Sequence, residues 1–163
     1  MAFRIGHGFD IHPLAEGRRL VLAGVEVPHD LGCAGHSDAD VVLHALTDAL
    51  LGALGMGDIG EWFPDDDDRY RDADSAQLFA TALEAAGHKG AKLVNIDVTI
   101  YLERPKLGDL KSRMRGRLAE IAGLEASAVG LKARTFEGFG AVGEGKAAAA
   151  TAVVLVEVCE SQE

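Results

Sequence analysis

The sequence predicts an α+β fold in which helices pack on one side of a mixed sheet of four to five strands. Alternating apolar residues, typical of strands, recur at both ends of the chain, and segments with helical periodicity lie between them. The chain has 163 residues, which suffice for one hydrophobic core, so we expect a single domain over residues 1–163.

The first half of the chain predicts two strands and a helix. Residues 3–12 alternate and are rich in glycine, and residues 19–27 (RLVLAGVEV) form a second β-prone run that ends at Pro28. Residues 37–54 repeat apolar side chains at helical spacing. Ser37 is the predicted N-cap of this helix, because a serine hydroxyl accepts hydrogen bonds from free backbone N–H groups.

The second half repeats these signals. Gly87 ends one helical pattern and Pro105 precedes another, as the preferences of glycine and proline for helix ends predict. Residues 92–102 (KLVNIDVTIYL) alternate as a strand does, and the element order becomes β-β-α-α-β-α-β-β. The remaining expectations are helices over 73–86 and 106–122, strands over 129–135 and 147–158, and loops over 32–35 and 56–74.

Composition narrows the class of partner. The formal net charge is -10 and no dense Lys/Arg stripe occurs, which argues against a nucleic-acid partner. Cys33 and Cys159 form no CxxC pair and are expected to be reduced thiols. The first residues lack the apolar core of a signal peptide, and no apolar run is long enough to span a membrane. We therefore expect a cytoplasmic protein without a membrane partner.

A candidate metal site combines a strand with a helix. Asp10 and His12 lie two residues apart on a predicted strand, so both side chains point to one face. Together with His44 they form a three-ligand set that leaves one tetrahedral position open, as catalytic zinc sites do. Asp40 or Asp48, on the same helix face as His44, would orient its ring. The alternatives are surface polarity for the strand pair and a core histidine paired with a carboxylate.

Two further segments suggest substrate contacts. His36 and Ser37 precede the predicted helix, where free N–H groups and the helix dipole favour an anion. Ser37 acting as a plain N-cap is the alternative, and both roles are compatible. In the loop 57–65, carboxylates would accept hydrogen bonds from polyol hydroxyls or hold a metal, although a solvated acidic loop has the same composition.

Cations and a hydroxyl gather near predicted strand ends. Lys106, Lys132 and Arg134 carry the positive charge that an anionic substrate requires. Thr135 adds a hydroxyl, and Glu137 would bind a magnesium ion that bridges two phosphates. Each of these residues alone is ordinary surface chemistry.

Several segments together resemble the 2-C-methyl-D-erythritol 2,4-cyclodiphosphate synthase family. They are residues 4–12 (RIGHGFDIH), 36–52 (HSDADVVLHALTDALLG), 57–65 with GDIG and FPD, 73–75 (ADS) and 95–100 (NIDVTI). The likeness continues in order from about residue 3 to residue 158. It implies a homotrimer with active sites between neighbouring subunits. It also implies conversion of 4-diphosphocytidyl-2-C-methyl-D-erythritol 2-phosphate to the cyclic diphosphate with release of CMP, in non-mevalonate isoprenoid biosynthesis.

The resemblance also implies residue roles. Asp10, His12 and His44 would bind Zn2+ or a similar divalent ion, and Glu137 would bind Mg2+ or Mn2+ with the substrate diphosphate. His36 and Thr135 would stabilise the transition state as catalytic residues. The implied substrate-binding residues are Asp10, His12, His36, Ser37, Asp58, Ile59, Gly60, Phe63, Asp65, Asp67, Leu102, Pro105, Lys106, Leu107, Ala133, Arg134, Thr135, Phe136 and Glu137.

One stretch departs from the family pattern. Ala141, Glu144 and Lys146 stand where the family commonly has an aromatic residue, an arginine and a glutamate beside a cavity on the trimer axis. An acidic side chain there opposes anions, so we expect weak or no binding of prenyl diphosphates, with a reversed Glu–Lys bridge between subunits as a remaining option. Two other functions share the metal site: an isoprenoid-diphosphate sensor without turnover and a zinc phosphohydrolase.

Overall fold

A computed structural model describes residues 1–159 of the chain. Within that range the strands are β1 (Ala2–Glu16), β2 (Leu20–Leu22), β3 (Val25–Val27), β4 (Leu31–Cys33), β5 (Ala91–Tyr101), β6 (Val129–Arg134) and β7 (Ala147–Val158). The α-helices are α1 (Val41–Ala53), α2 (Ile59–Trp62), α3 (Ser75–His88), α4 (Lys111–Ala122) and α5 (Gly140–Gly143). Short 3-10 turns cover Asp68–Tyr70, Gly108–Leu110 and Ala126–Ala128.

Five of the described strands form one mixed sheet in the order β4-β1-β7-β5-β6, in which β5 and β6 are parallel and the other neighbours are antiparallel. Helices α1, α3 and α4 cover one face, where β1 contributes Gly6 and Gly8 and β7 contributes Ala148, Ala150 and Ala152. The predicted α+β class, with helices on one side of a mixed sheet, is confirmed. None of the helices within residues 1–159 combines the length and apolar character needed to cross a bilayer.

Small residues bring α1 unusually near to β1. A Cβ added to Gly6 would lie 1.7 Å from the carbonyl oxygen of Ala49, so the two backbones are in direct contact. The neighbouring strand β7 has alanines on the same face, and these small side chains leave room for α1. This close approach carries α1 over the middle of the sheet and places its first turns above the residues that follow Gly8.

The other face of the sheet is largely exposed, except where Val142 of α5 packs on Ala147 and Ala149. Phe3, Ile5, Phe9 and Ile11 of β1 alternate with the inward residues and point away from the helices; Ile5 is 73% exposed. The residues on this face of β7 include Val153, which is also exposed. A row of large apolar side chains in water is costly, and such surfaces commonly mark an interface.

Three predictions in the first half were wrong. Residues 19–27 are not one strand but the hairpin β2–β3, whose turn residues Ala23 and Gly24 both have positive φ, as a tight two-residue turn requires. Part of the predicted loop 32–35 pairs with β1 as the short strand β4. The N-cap of α1 is Asp40 rather than Ser37, since Asp40 accepts the free N–H groups of the first turn.

The later boundaries need smaller corrections. The predicted loop 56–74 contains α2, capped by Asp58, and a 3-10 turn capped by Asp67. The predicted helix 106–122 begins at Lys111, after a 3-10 turn over Gly108–Leu110. Strand β1 continues to Glu16, since its last residues gain β4 as a partner.

Candidate metal centre and substrate cavities

Asp10, His12 and His44 converge at one point between β1 and α1. Asp10 Oδ2 lies 3.0 Å from His44 Nδ1 and 3.1 Å from His12 Nε2, and the two ring nitrogens are 3.1 Å apart. Among the described residues, these three make up a group whose potential ligand atoms all lie within 4.8 Å of one another. The convergence predicted from the sequence is therefore present in the fold.

The backbone explains why these side chains meet. Asp10 and His12 alternate onto the helix side of β1 and pair with Ala150 and Ala148 of β7, whose small side chains leave space above them. His44 lies one turn into α1, which Gly8 allows to lie directly on the sheet. Two rigid elements thus hold the three side chains, so little rearrangement is needed to close around an ion.

The triad is electrostatically paired. Burial acts to raise the pKa of Asp10, but hydrogen bonds and charges from His12 and His44 outweigh it and hold that pKa well below 3.8. Burial acts to lower the pKa of His44, but the hydrogen bond and charge of Asp10, with the charges of Asp40 and Asp38, outweigh it and raise that pKa above 6.5. A carboxylate beside an imidazolium is the arrangement that a divalent cation replaces when it displaces the ring proton.

The outer nitrogen of His44 faces two hydroxyls. Nε2 lies 2.9 Å from Ser75 Oγ and 3.1 Å from Ser37 Oγ. The prediction that Asp40 or Asp48 orients this ring was wrong. Asp48 instead accepts the backbone N–H of Ile59 at 2.8 Å, which ties α1 to the loop that begins α2.

Asp40 has a structural task. It is fully buried, and its Oδ1 accepts the N–H groups of Val42 and Leu43 while also accepting that of Ala23 in the hairpin turn. Its Oδ2 accepts the N–H of Gly24 at 2.7 Å. The helix N-terminus is thereby filled by a carboxylate of the chain itself, so the predicted anion site at that terminus is wrong. His36 lies in the loop before α1 and lines the metal cavity.

The triad opens into a cavity of about 490 Å3. His36 and Ser37 line one side, and the loop of α2 lines the other. Asp58 and Asp67, both predicted to touch substrate, are not among the lining residues: Asp58 caps α2 through Glu61 N, and Asp67 pairs with Arg69. The predicted residues that line this cavity are Asp10, His12, His36, Ser37, His44, Ile59, Gly60, Phe63 and Asp65.

A second cavity, of about 390 Å3, lies beyond the end of β6. Lys132 is absent from its lining because it points to the open face of the sheet, where it pairs with Asp97. Phe136 is absent too, and its ring stacks edge-to-face on Tyr101. The predicted residues that line this cavity are Leu102, Pro105, Lys106, Leu107, Ala133, Arg134, Thr135 and Glu137.

The two cavities are separate within one chain. They share no lining residue, and β7 and β5 stand between β1 and β6 in the sheet. Three strand spacings amount to about 14 Å, too far for one side chain to bridge. His36 and Thr135, the two predicted catalytic residues, are therefore held in different cavities of the same subunit.

Sequence reasoning missed Ser75 and Asp38 near the metal centre. Ser75, the first residue of α3, is almost fully buried and donates its hydroxyl proton to Asp38 at 2.5 Å. Its segment Ala73–Ser75 stood out in the sequence as a helix start, and nothing in its spacing pointed to His44. Tyr70 and Leu78 also line the metal cavity and were not predicted.

Comparison with known proteins finds relatives that match nearly the whole chain. A profile of the YgbB family matches residues 3–157. The 2-C-methyl-D-erythritol 2,4-cyclodiphosphate synthase of Geobacter metallireducens is 51% identical over 154 residues, 94% of this chain and 98% of that protein. A solved 2C-methyl-D-erythritol-2,4-cyclodiphosphate synthase in a CDP-bound form aligns with a TM-score of 0.88 at 41% identity, covering 94% of this chain and 100% of that one.

A longer protein contains the same fold. The bifunctional IspDF from Campylobacter jejuni aligns with a TM-score of 0.93 at 38% identity over 97% of this chain, which spans 43% of that protein. The match to the family profile and the identity to its relatives extend over nearly all of the residues that build both cavities. The chain therefore belongs to the YgbB family, and its relatives in the comparison are 2-C-methyl-D-erythritol 2,4-cyclodiphosphate synthases.

Proposed function

We propose that this enzyme converts 4-diphosphocytidyl-2-C-methyl-D-erythritol 2-phosphate to 2-C-methyl-D-erythritol 2,4-cyclodiphosphate and CMP, a step of non-mevalonate isoprenoid biosynthesis. The observation that carries the proposal is the convergence of Asp10, His12 and His44 at the head of a cavity, in a chain that is half identical to named synthases. The reaction is an intramolecular phosphoryl transfer, which needs positioning and charge neutralisation rather than a protein nucleophile.

The donor set fits a divalent metal. Two imidazole nitrogens and one carboxylate oxygen suit Zn2+ or a similar ion, and three protein ligands leave a position for a phosphate oxygen. When bound, such an ion supplies Lewis-acid stabilisation of charge on the phosphoryl oxygens. Glu137 is the proposed carboxylate for Mg2+ or Mn2+ at the diphosphate; Thr135 donates to its Oε1 at 2.7 Å, and Oε2 remains for a cation.

Different residues contact different parts of the substrate in this proposal. An oxygen of the 2-phosphate attacks the β-phosphorus, the bond from that phosphorus to the bridging oxygen breaks, and CMP leaves with that oxygen. Asp65, Ile59 and Gly60 face the metal cavity, where the methylerythritol would lie. Lys106 and Arg134 add positive charge to the second cavity, which we assign to the cytidine and its phosphates. A relative solved in a CDP-bound form supports a cytidine nucleotide as part of the substrate.

A complete site then needs two subunits. Because His36 and Thr135 occupy separate cavities of one chain, we propose a homotrimer in which the metal cavity of one subunit meets the cytidine cavity of its neighbour. The open face of the sheet, with Phe3 at 64% and Ile5 at 73% exposure, is the apolar surface that such an assembly would bury. Sedimentation analysis tests this proposal: a monomer at the concentration of the activity assay would overturn it.

Product analysis tests the reaction itself. Enzyme stripped of metal and reconstituted with Zn2+ and Mg2+ is incubated with the substrate, and the products are followed by phosphorus NMR. A cyclic diphosphate with one equivalent of CMP supports the proposal. A linear hydrolysis product identifies a phosphohydrolase, and substrate binding without turnover identifies a sensor; either result overturns it.

Two further expectations concern surroundings. We propose the cytoplasm as the compartment, because Cys33 and Cys159 are both free thiols and a reducing environment keeps them so.

Lys146 pairs with Glu144 of its own chain at 2.6 Å, so within one subunit the acid already has a partner. Weak or absent binding of prenyl diphosphates near Ala141 stays a prediction, and tight binding by calorimetry would contradict it.

A further inference from the structure

We propose that Ser75 and Asp38 are positioning residues that fix the tautomer of His44, so that Nδ1 presents its lone pair to the metal. The proposal deepens the metal site and rests on the proposed function. Its basis is a chain of contacts behind the triad: His44 Nε2 lies 2.9 Å from Ser75 Oγ, which lies 2.5 Å from Asp38 Oδ1.

The direction of each hydrogen bond follows from counting protons. A hydroxyl has one proton to give, and an ionised carboxylate can only accept, so the Ser75 proton goes to Asp38. Ser75 Oγ then offers only lone pairs to His44. With a metal ion on the side of Asp10 and His12, the His44 ring would therefore carry its proton on Nε2 and donate it to Ser75 Oγ, which leaves the Nδ1 lone pair for the ion.

Asp38 is itself held in place for this task. Its Oδ2 accepts the backbone N–H of Ser75 at 3.2 Å, and its Oδ1 also accepts that of Asp40. The first contact lies at the N-terminus of α3, where the helix dipole favours a negative charge. These contacts hold the carboxylate beside the hydroxyl that it orients.

Ser37 lies equally near but lacks this constraint. Its Oγ is 3.1 Å from His44 Nε2 and accepts the N–H of Ala39, and its hydroxyl proton has no carboxylate to receive it. Ser37 can therefore donate to or accept from the ring and selects neither tautomer. Ser75 is 1% exposed, so water has little access to replace its hydroxyl as the hydrogen-bond partner of His44.

The first test measures zinc affinity by competition with a chromogenic chelator. Ser75→Ala is expected to weaken zinc binding about 10- to 100-fold, the usual cost of losing an outer-shell partner. Ser75→Thr keeps the hydroxyl and is expected to restore most of the affinity. Thr81→Ala, which removes an exposed hydroxyl from the same helix, is the matched control and should bind like wild type. Wild-type affinity in Ser75→Ala would overturn the relay.

A second test asks whether Asp38 acts through Ser75. Asp38→Asn should weaken zinc binding in the wild-type background and add nothing measurable in the Ser75→Ala background. Additive losses would show that Asp38 acts independently and would overturn this part of the proposal. Should Ser75→Ala not fold, Asp38→Asn and Ser75→Thr still provide the affinity comparison.

The third test reads the tautomer directly. Long-range proton–nitrogen NMR spectra of the zinc-loaded enzyme should show the His44 proton on Nε2 in wild type. Ser75→Ala should change the chemical shift of that proton, because it loses its acceptor, whereas Thr81→Ala should leave the shift unchanged. A wild-type ring protonated on Nδ1 would overturn the relay. Failure of wild-type enzyme to bind zinc at all would instead refute the proposed metal site.

Discussion

Gly8 of β1 lies against the backbone of Ala45 in α1: a Cβ added to Gly8 would come within 2.0 Å of the Ala45 carbonyl oxygen. Ala45 directly follows His44, so the approach of these two residues sets the height of the histidine above the strand. The metal site depends on the absence of a side chain at this position as well as on its ligands.

Gly8→Ala is therefore expected to push α1 away from β1. The cost should be about 3 kcal/mol or more in the free energy of unfolding, because the neighbour is backbone and cannot rotate away. Zinc affinity should fall with it. Denaturant unfolding and chelator competition measure the two effects. Gly52→Ala is the control: Gly52 lies in α1 with open space at its Cβ position, and alanine there should stabilise by about 0.5–1 kcal/mol.

His44→Ala should remove the bound metal while the protein stays folded. Turnover is expected to fall more than about 100-fold, since even outer-shell changes cost 10- to 100-fold. Metal content by mass spectrometry, circular dichroism and the cyclisation assay measure the three outcomes. His88→Ala, at the exposed end of α3, serves as the control and should leave all three unchanged. Full activity in metal-free His44→Ala protein would remove the metal from the mechanism.

Stability of the metal-free protein should depend on pH through Asp10 and His44. The lowered pKa of Asp10 gives stability that is present above pH 3.8 and lost as the pH falls through its folded pKa. The raised pKa of His44 gives stability that is present below pH 6.5 and lost as the pH rises through its folded pKa. The pair therefore stabilises the fold most between these two values.

Asp10→Asn tests this window. Thermal unfolding in the presence of a chelator should show the largest loss of stability between about pH 4 and pH 6.5. These limits are roughly the ordinary pKa values of the two groups. The loss should shrink as the pH rises further, because a neutral His44 no longer needs the charge. Asp109→Asn, at an exposed carboxyl, is the control. A loss that stays constant with pH would show that the pair contributes no charge interaction.

Glu137→Gln should change the response to magnesium. Removal of the carboxylate charge is expected to raise the Mg2+ concentration for half-maximal turnover by about tenfold, with partial recovery at saturating Mg2+. Zinc content should not change, since Glu137 lies in the other cavity. Glu125→Gln, an exposed carboxylate before β6, provides the comparison. An identical magnesium curve for both variants would clear Glu137 of metal binding.

Local periodicity predicts only part of the metal triad. Asp10 and His12 share a face through the two-residue repeat of a strand. Their meeting with His44 depends on the packing of α1 on β1 at Gly8 and Ala45, and the resemblance to the synthase family implied the three residues as metal ligands. The α+β class followed from the same alternation of strand and helix patterns.

What the sequence could not decide depends on contacts between distant segments. Ser37, Asp38 and Asp40 are all good capping residues, and the choice of Asp40 follows from its bonds to Ala23 and Gly24 in a hairpin 16 or more residues away. Ser75 reaches His44 across 31 residues of chain. No local pattern encodes either pairing, so both were missed.

The position of β7 in the sheet has a consequence for synthesis on the ribosome. This strand joins β1 to β5, yet among the described strands it is made last. The ladder of β1 with β7 therefore spans most of the chain, a contact order that slows folding. Until β7 emerges, the flank of β1 that β7 will cover lacks its partner, and the nascent chain exposes an edge that other chains can pair with.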